Sequence, residues 1–399
     1  MVRTKPSIAV LPFANPSGNP QQEYFSEGLA EDIVGSLSRS PWIFVVASAS
    51  SFQFRGGQES IAEASGKLGV QYVLLGTVRC SGDRLRVSAE LIHEPSGEVI
   101  WAERYDRQAE EYFDIQEDIA RKIVGTIEPA FLKHEEARAT REPNRDRRHW
   151  DLVMRARWHY WRSSKRHTSE AKRLLEQALQ LRPDDVATLS LLAFSLSTEV
   201  WSGWASDAKA TATEARQLAV RAVAIDDMDA FAHFTLGVAL LGSRDLDGAI
   251  AAQRRALALY PHFAAAAAEL GRLLSFYGET IEGERLTRQA MTDSPTDPRM
   301  GLWIFGIGIG KFVDARYGEA AEHARAAISL RRDWFFNHFL LSASLVLDGK
   351  VDEARVSMAE GVRLAPLLSV PALCVGHPFK RDLDRDRYIS ALRMAGWTK

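Results

Sequence analysis

ALALYP, residues Ala256–Pro261, is the stretch on which the reading of this chain turns. Five others repeat its form: ALQLRP (Ala178–Pro183), AVAIDD (Ala222–Asp227), AMTDSP (Ala290–Pro295), AISLRR (Ala327–Arg332) and GVRLAP (Gly361–Pro366). Their starts lie 44, 34, 34, 37 and 34 residues apart. From about residue 149 onward apolar residues recur between them at helical spacing, so each phrase reads as the end of a helix. Proline closes four of the six, and a residue without an N–H cannot continue the helix ladder.

A period of 34 with a proline stop is the signature of tetratricopeptide (TPR) repeats, each a hairpin of two helices. Other marks keep register: Gly237 and Gly271 each lie 24 residues before a closing position, and Ala171, Ala215, Ala249, Ala320 and Ala354 lie twelve before theirs. Small side chains there let paired helices approach closely. A hairpin alone leaves an apolar face bare, so the units must stack. Six units are expected over 149–366. The ten-residue excess before Asp227 is placed in a longer loop around WSGWAS (Trp201–Ser206), and residues 367–399, with Tyr388, Leu392 and Trp397, are expected to cap the open end.

FGIGIGKF (Phe305–Phe312) competes with this scheme, because glycines before a lysine can cradle phosphate. A phosphate loop needs a strand before it and a hydroxyl after the lysine. Here Phe312 follows Lys311 and no strand signal precedes, so the stretch is read as the first helix of the fifth unit.

The amino-terminal third reads differently. Strand signals at Ser7–Phe13, Ile43–Ala47, Tyr72–Val78, Leu85–Ile92 and Val99–Tyr105 alternate with helical spacing at Tyr24–Ser38 and Ser60–Leu68. Turns at Ser81–Asp83 and Pro95–Gly97 close hairpins, and a last helix from Tyr112 to about Leu132 leads out. The fold class is therefore α+β and multi-domain: a small α/β layer domain over 1–132, a helical, charged linker over 133–148, an all-α TPR superhelical solenoid over 149–366 and a capping segment over 367–399.

PSIAVLPF, QEYFSEGLAEDIVGSLSR, SSFQF, LGVQYVLLGTV, GDRLRVSAELI and WAERYDR, spread over residues 6–128, resemble the TolB amino-terminal-like domain that precedes TPR repeats in bacterial class III adenylate cyclases and in winged-helix transcriptional regulators. Leu75 and His93 stand where that family commonly has carboxylates, which puts any ligand contact through them in doubt. The resemblance implies an effector, cyclase or winged helix, ahead of this region. With the first strand at Ser7, it is expected to be missing or encoded separately.

Composition is that of an ordinary globular chain: 46% hydrophobic, 26% charged, formal net charge −2. Only Cys80 and Cys374 are present, which excludes a disulfide framework and a CxxC metal site. No signal-like or membrane-length apolar run appears, and a cytoplasmic location is expected. Charge is uneven: residues 1–132 carry 12 Lys+Arg against 18 Asp+Glu, and 133–167 carry 11 against 5.

That basic segment, REPNRDRRHWDLVMRARWHYWRSSKRH (141–167), interleaves arginines with aromatics and offers a contact surface for nucleic acid through Arg145, Arg147, Arg148 and Arg155. The favoured reading is a first repeat helix with its aromatics inward and its arginines in water or against the acidic first domain. Glu23, Glu27, Glu31 and Asp32 could pair as acid and base, but a solvated helix face explains them as well. A class III cyclase needs two metal-binding aspartates in strands, whereas Phe113-Asp114-Ile115 and Asp118-Ile119 fall in an expected helix. No catalytic residue, metal or cofactor is assigned.

First helices line the groove of a TPR stack, and the register puts Phe231, Phe234, Val238, Arg272, Phe336 and Phe339 there. A protein partner presenting an apolar or helical segment is expected in it, with homo-oligomers left open. The function expected is non-catalytic, a regulatory and protein-interaction module of cyclase-type signalling. The alternative is part of a transcription regulator touching nucleic acid through 141–167.

Overall fold

The computed structural model describes residues 5–17, 20–54, 60–81, 84–108, 112–141, 148–160, 164–295, 297–366 and 368–398. Two compact units divide the chain, Met1–Trp158 and His159–Lys399.

The first unit runs β1 (Ser7–Val10), α1 (Pro20–Leu37), β2 (Phe44–Val45), α2 (Ser48–Ser51), α3 (Ile61–Leu68), β3 (Tyr72–Ser81), β4 (Arg84–His93), β5 (Glu98–Gln108) and α4 (Tyr112–Arg141). The sheet order is β2-β1-β3-β4-β5. β1 is parallel to β2 and β3, which suits a four-residue run buried throughout. β3, β4 and β5 form an antiparallel meander, and β4 alternates buried with exposed positions over its first half. A capping box between Ser60 and Glu63 starts α3, and Gly69 at φ 63° ends it. Leu29 and Ile33 of α1 and Ile119, Ile123 and Ile127 of α4 are fully buried with Ile8 and Leu74 of the sheet.

Two expectations shift here. β1 stops at Val10 rather than Phe13, because Pro12 has no N–H to donate; the chain rejoins the sheet only where Ala14 bridges to Thr77. α4 does not end near Leu132 but continues to Arg141 with Pro129 inside it, held by burial of Phe131, Glu135, Glu136 and Ala139. The linker over 133–148 was expected to be helical and separate, and residues 133–141 of it are instead the end of α4.

α5 (Arg148–Tyr160), read as the first repeat helix, belongs to the first unit as far as Trp158. The second unit then runs α6 (Lys165–Leu181), α7 (Val186–Trp201), α8 (Ala208–Ile225), α9 (Ala230–Leu241), α10 (Leu246–Leu259), α11 (Ala264–Tyr277), α12 (Thr280–Asp293), α13 (Met300–Val313), α14 (Tyr317–Leu330), α15 (Phe335–Leu347), α16 (Val351–Leu364), α17 (Val370–Gly376) and α18 (Asp382–Met394). α7 pairs with α8, and so on to α15 with α16, giving five complete TPR hairpins among the described residues of this unit. Asp185, Asp207, Asp229 and Asp245 cap α7 to α10 by accepting from the third backbone N–H of each helix.

The repeat marks sit where helices meet. Ala171, Ala215, Ala249, Ala320 and Ala354 are buried. A Cβ on Gly237 would lie 2.6 Å from Gln253 Nε2 and 3.0 Å from the Ala249 carbonyl oxygen. The ten-residue excess is not all loop: α7 and α8 have 16 and 18 residues where α9 and α10 have 12 and 14, and only 202–207 are left to join the longer pair. Among the described residues no helix is long and apolar enough to cross a membrane.

Candidate partner-binding groove

First helices α7, α9 and α13 carry aromatic residues that meet aromatic residues in or at the start of the next first helix. Phe194 of α7 lies 5.5 Å from Phe234 of α9, which lies 5.3 Å from Phe263 at the start of α11. Phe231 stacks on Phe234 at 5.8 Å, and Val238 is buried one turn further on. These three expected groove residues form packing between helices rather than open surface.

Arg272 and Phe336 do come together. With Trp201, Leu241, Leu302, Phe305 and Trp334 they line one crevice in the second unit. Arg272 is held by two bonds to Glu269, 2.5 and 3.0 Å, and lies 5.6 Å over Phe276. Trp201 Nε1 is buried without a hydrogen-bond partner. Phe339 has no exposure, because Trp397 covers it at 5.6 Å.

The segment expected to cap the open end reaches much further. α18 packs on α15, as a cap would, but α17 packs against α7 at the other end of the row. Between them His377 touches three first helices at once: Phe276 at 5.6 Å, Phe305 at 5.5 Å and Phe336 at 4.7 Å. Phe379 follows at 5.1 Å from Phe276, and the Lys380 N–H donates to the Phe276 carbonyl at 3.0 Å. Lys380 Nζ reaches Asp247 of α10 at 2.7 Å. Burial, with Arg272 adding to it, pushes the His377 imidazole down to about 3, so the ring is neutral. Burial likewise pushes the Cys374 thiol up.

FGIGIGKF is wholly helical, within α13. Its glycines face two neighbours in turn: a Cβ on Gly306 would meet Arg272 at 3.1 Å, on Gly308 Leu340 at 3.0 Å and on Gly310 Ser275 at 3.2 Å. Steps of two residues turn a helix by about 200°, which sends alternate glycines toward α11 and α15. Lys311 is buried and donates to Glu284 Oε2 at 2.6 Å. Burial alone would raise the Glu284 carboxyl, but hydrogen bonds from Lys311 and Arg288 hold it below its ordinary value.

In the first unit, Arg145 and Arg147 lie outside the described residues, Arg148 is exposed and Arg155 half-buried. Arg157, which the candidate set omitted, is buried, pairs with Glu136 at 3.2 Å and lies 4.6 Å over Trp42. Glu135 is the centre of a second buried network: it accepts from Tyr72 Oη at 2.6 Å and Trp150 Nε1 at 2.7 Å, and Arg138 bridges it to Asp151. Nothing in the surrounding KHEEAR (133–138) marks Glu135 and Glu136 as buried, so the sequence reading missed this network. The His93 and His134 rings lie 4.7 Å apart, tilted by 49°, and burial lowers both imidazoles. Glu23, Glu31 and Asp32 are exposed, and Asp118 is taken up by Arg107 at 2.8 Å and Lys122 at 3.0 Å. Among the described residues no group of His, Cys, Asp and Glu is placed to hold a metal.

Residues 4–122 match the second domain of HilA/YgeH-like transcriptional regulators. Over 248 residues the chain is 38% identical to Putative adenylate cyclase 3 of Rhizobium meliloti (strain 1021), covering 61% of this chain and 42% of that protein. The chain therefore spans less than half of that relative's length. Among solved structures, the human IFIT1 dimer with m7Gppp-AAAA is 14% identical at a TM-score of 0.49, covering 71% of this chain and 66% of that one. TolB from Acinetobacter baumannii is 18% identical at a TM-score of 0.25, covering 32% and 28%. Structural likenesses this loose carry no argument about activity. The two sequence matches correspond to the two sides of the resemblance, a regulator domain and a cyclase-named protein.

Proposed function

We propose that this chain is a non-catalytic regulatory and protein-interaction module of cyclase-type bacterial signalling, working in the cytoplasm, whose TPR groove takes a protein segment. The observation that carries the reading is the row of aromatic residues presented by successive first helices, Phe276, Phe305 and Phe336, which already grip a peptide segment. That is how a helical or apolar peptide is held. The groups a catalytic reading would recruit are spent on structure: Lys311 on Glu284, Asp118 on Arg107 and Lys122. The effector, on this reading, is a cyclase, in keeping with the name of the Rhizobium meliloti relative.

A chimera tests it. The part of the Rhizobium meliloti protein that matches is replaced by this chain, and cyclic AMP formation is compared with that of the remaining part alone. A difference that Phe336→Leu reduces supports the reading; identical activities, or cyclic AMP made by this chain alone, sink it.

The regulator-domain match at residues 4–122 favours a second reading, regulation of transcription. Contact with nucleic acid would then fall to Arg145, Arg147, Arg148 and Arg155, since Arg157 is engaged by Glu136.

A further inference from the structure

The inner face of the second unit is occupied by the chain itself. Residues Leu368–Lys380 leave α16 at the end of the repeat row and lie along the first helices back to α7. Leu368 and Leu373 are buried, Cys374 is 7% exposed and His377 2%. The contacts are those of a bound peptide: a short helix, α17, then an aromatic pair, His377 and Phe379, set against Phe276, Phe305, Phe312 and Phe336. One backbone hydrogen bond, Lys380 to Phe276, and one ion pair, Lys380 to Asp247, close its far end.

The fit is incomplete. His377 shares Nε2 with Tyr388 Oη at 3.2 Å, its buried Nδ1 makes no well-formed hydrogen bond although the Leu373 carbonyl acts on the ring, and Trp201 Nε1 in the same row is buried without a partner. A buried polar atom without a partner works against the bound state. A segment selected only to finish a hydrophobic core would not put an imidazole where three phenylalanines converge. A ligand that must leave again can tolerate that cost.

We propose that Leu368–Lys380 is a built-in ligand of the TPR groove, exchanged for a partner segment of the same chemistry: one short apolar helical turn followed by two aromatic residues spaced i and i+2. This rests on the reading of the groove as the partner surface and adds to it the ligand class and the competition. In the resting chain the groove is closed; a partner binds by displacing the segment, so its apparent affinity is reduced by the fraction of chains that are open.

Cys374 reports the exchange. The chain has two cysteines, so full-length Cys80→Ser leaves Cys374 as the single thiol, buried within the segment. Its labelling by a thiol reagent is followed with and without a synthetic peptide of residues 368–380 carrying serine at position 374. Exchange predicts a labelling rate that rises with peptide concentration, about tenfold or more at saturation, while the peptide with Phe379→Ala has no effect. In the full chain Phe379→Ala should speed labelling without peptide, with the helical circular dichroism unchanged. If labelling is indifferent to peptide and keeps pace with global unfolding, the segment is a permanent part of the core and the proposal falls. Indifference to peptide alongside a cyclase chimera that responds to Phe336→Leu would remove the exchange and leave the groove reading in place; failure of both removes both.

Discussion

The ammonium of Lys311, on α13, lies 2.6 Å from Glu284 Oε2, on α12, and is 7% exposed. A lysine that follows three glycines thus ties two helices of adjacent TPR hairpins together. Lys311→Met should lower stability by about 1–2 kcal/mol, less than the 3–5 kcal/mol for breaking a fully buried pair, because Glu284 keeps Arg288 and some contact with water. Urea unfolding measures it. ATP with magnesium should neither raise the melting temperature nor be turned over; nucleotide-dependent stabilisation lost with Lys311 would reopen the phosphate-loop reading.

Glycines separate by what faces them. Gly237→Leu must push aside Gln253, whose Nε2 donates to the Phe234 carbonyl at 2.9 Å, and should cost about 1–3 kcal/mol by overpacking. Gly66→Ala, within α3 and with nothing within 4 Å of the new Cβ, should instead stabilise by roughly 0.5–1 kcal/mol. Opposite signs in denaturant melts are expected; equal effects would mean that the assigned helix contacts are wrong.

The arginines of 141–167 should divide in the same way. Arg157→Ser removes the guanidinium that lies 3.2 Å from Glu136 and over the Trp42 ring, and should cost about 1.5–3 kcal/mol. Arg148→Ser and Arg155→Ser should change stability by no more than about 0.5 kcal/mol each. A generic DNA duplex should bind no tighter than about 10⁻⁴ M at physiological salt. Micromolar, salt-dependent binding abolished by changing Arg145, Arg147, Arg148 and Arg155 would favour the transcription reading.

Acid should loosen the second unit. His377 is held neutral in the fold, down to about 3, against an ordinary value of 6.5, so below pH 6.5 the unfolded chain takes a proton that the folded one refuses. Stability is unaffected by this group above pH 6.5 and is lost as pH falls from there toward 3, by up to about 1.4 kcal/mol per pH unit. His377→Phe should flatten that part of the profile, read by thermal melts from pH 7 to 4. An unchanged profile would mean that this ring is not buried as described.

Repeat architecture was legible because it rests on local sterics repeated at a fixed interval: a small residue where helices cross and a proline where one ends. Each mark acts within one hairpin, so a single sequence carries it. The five strands and the helices α1, α3 and the start of α4 were legible for the same reason, through period and turn residues, whereas the single turn α2 was not. What the sequence could not supply were relations between distant segments. α4 runs past Leu132 because Glu135 finds Tyr72 and Trp150 and Glu136 finds Arg157, none of which lies on α4. Leu368–Lys380 was expected at the end of the stack, since nothing in its own residues says which apolar surface it covers. Only the folded row of Phe276, Phe305 and Phe336 makes one site for His377, because hydrophobic burial is set by area brought together in space and not by order along the chain.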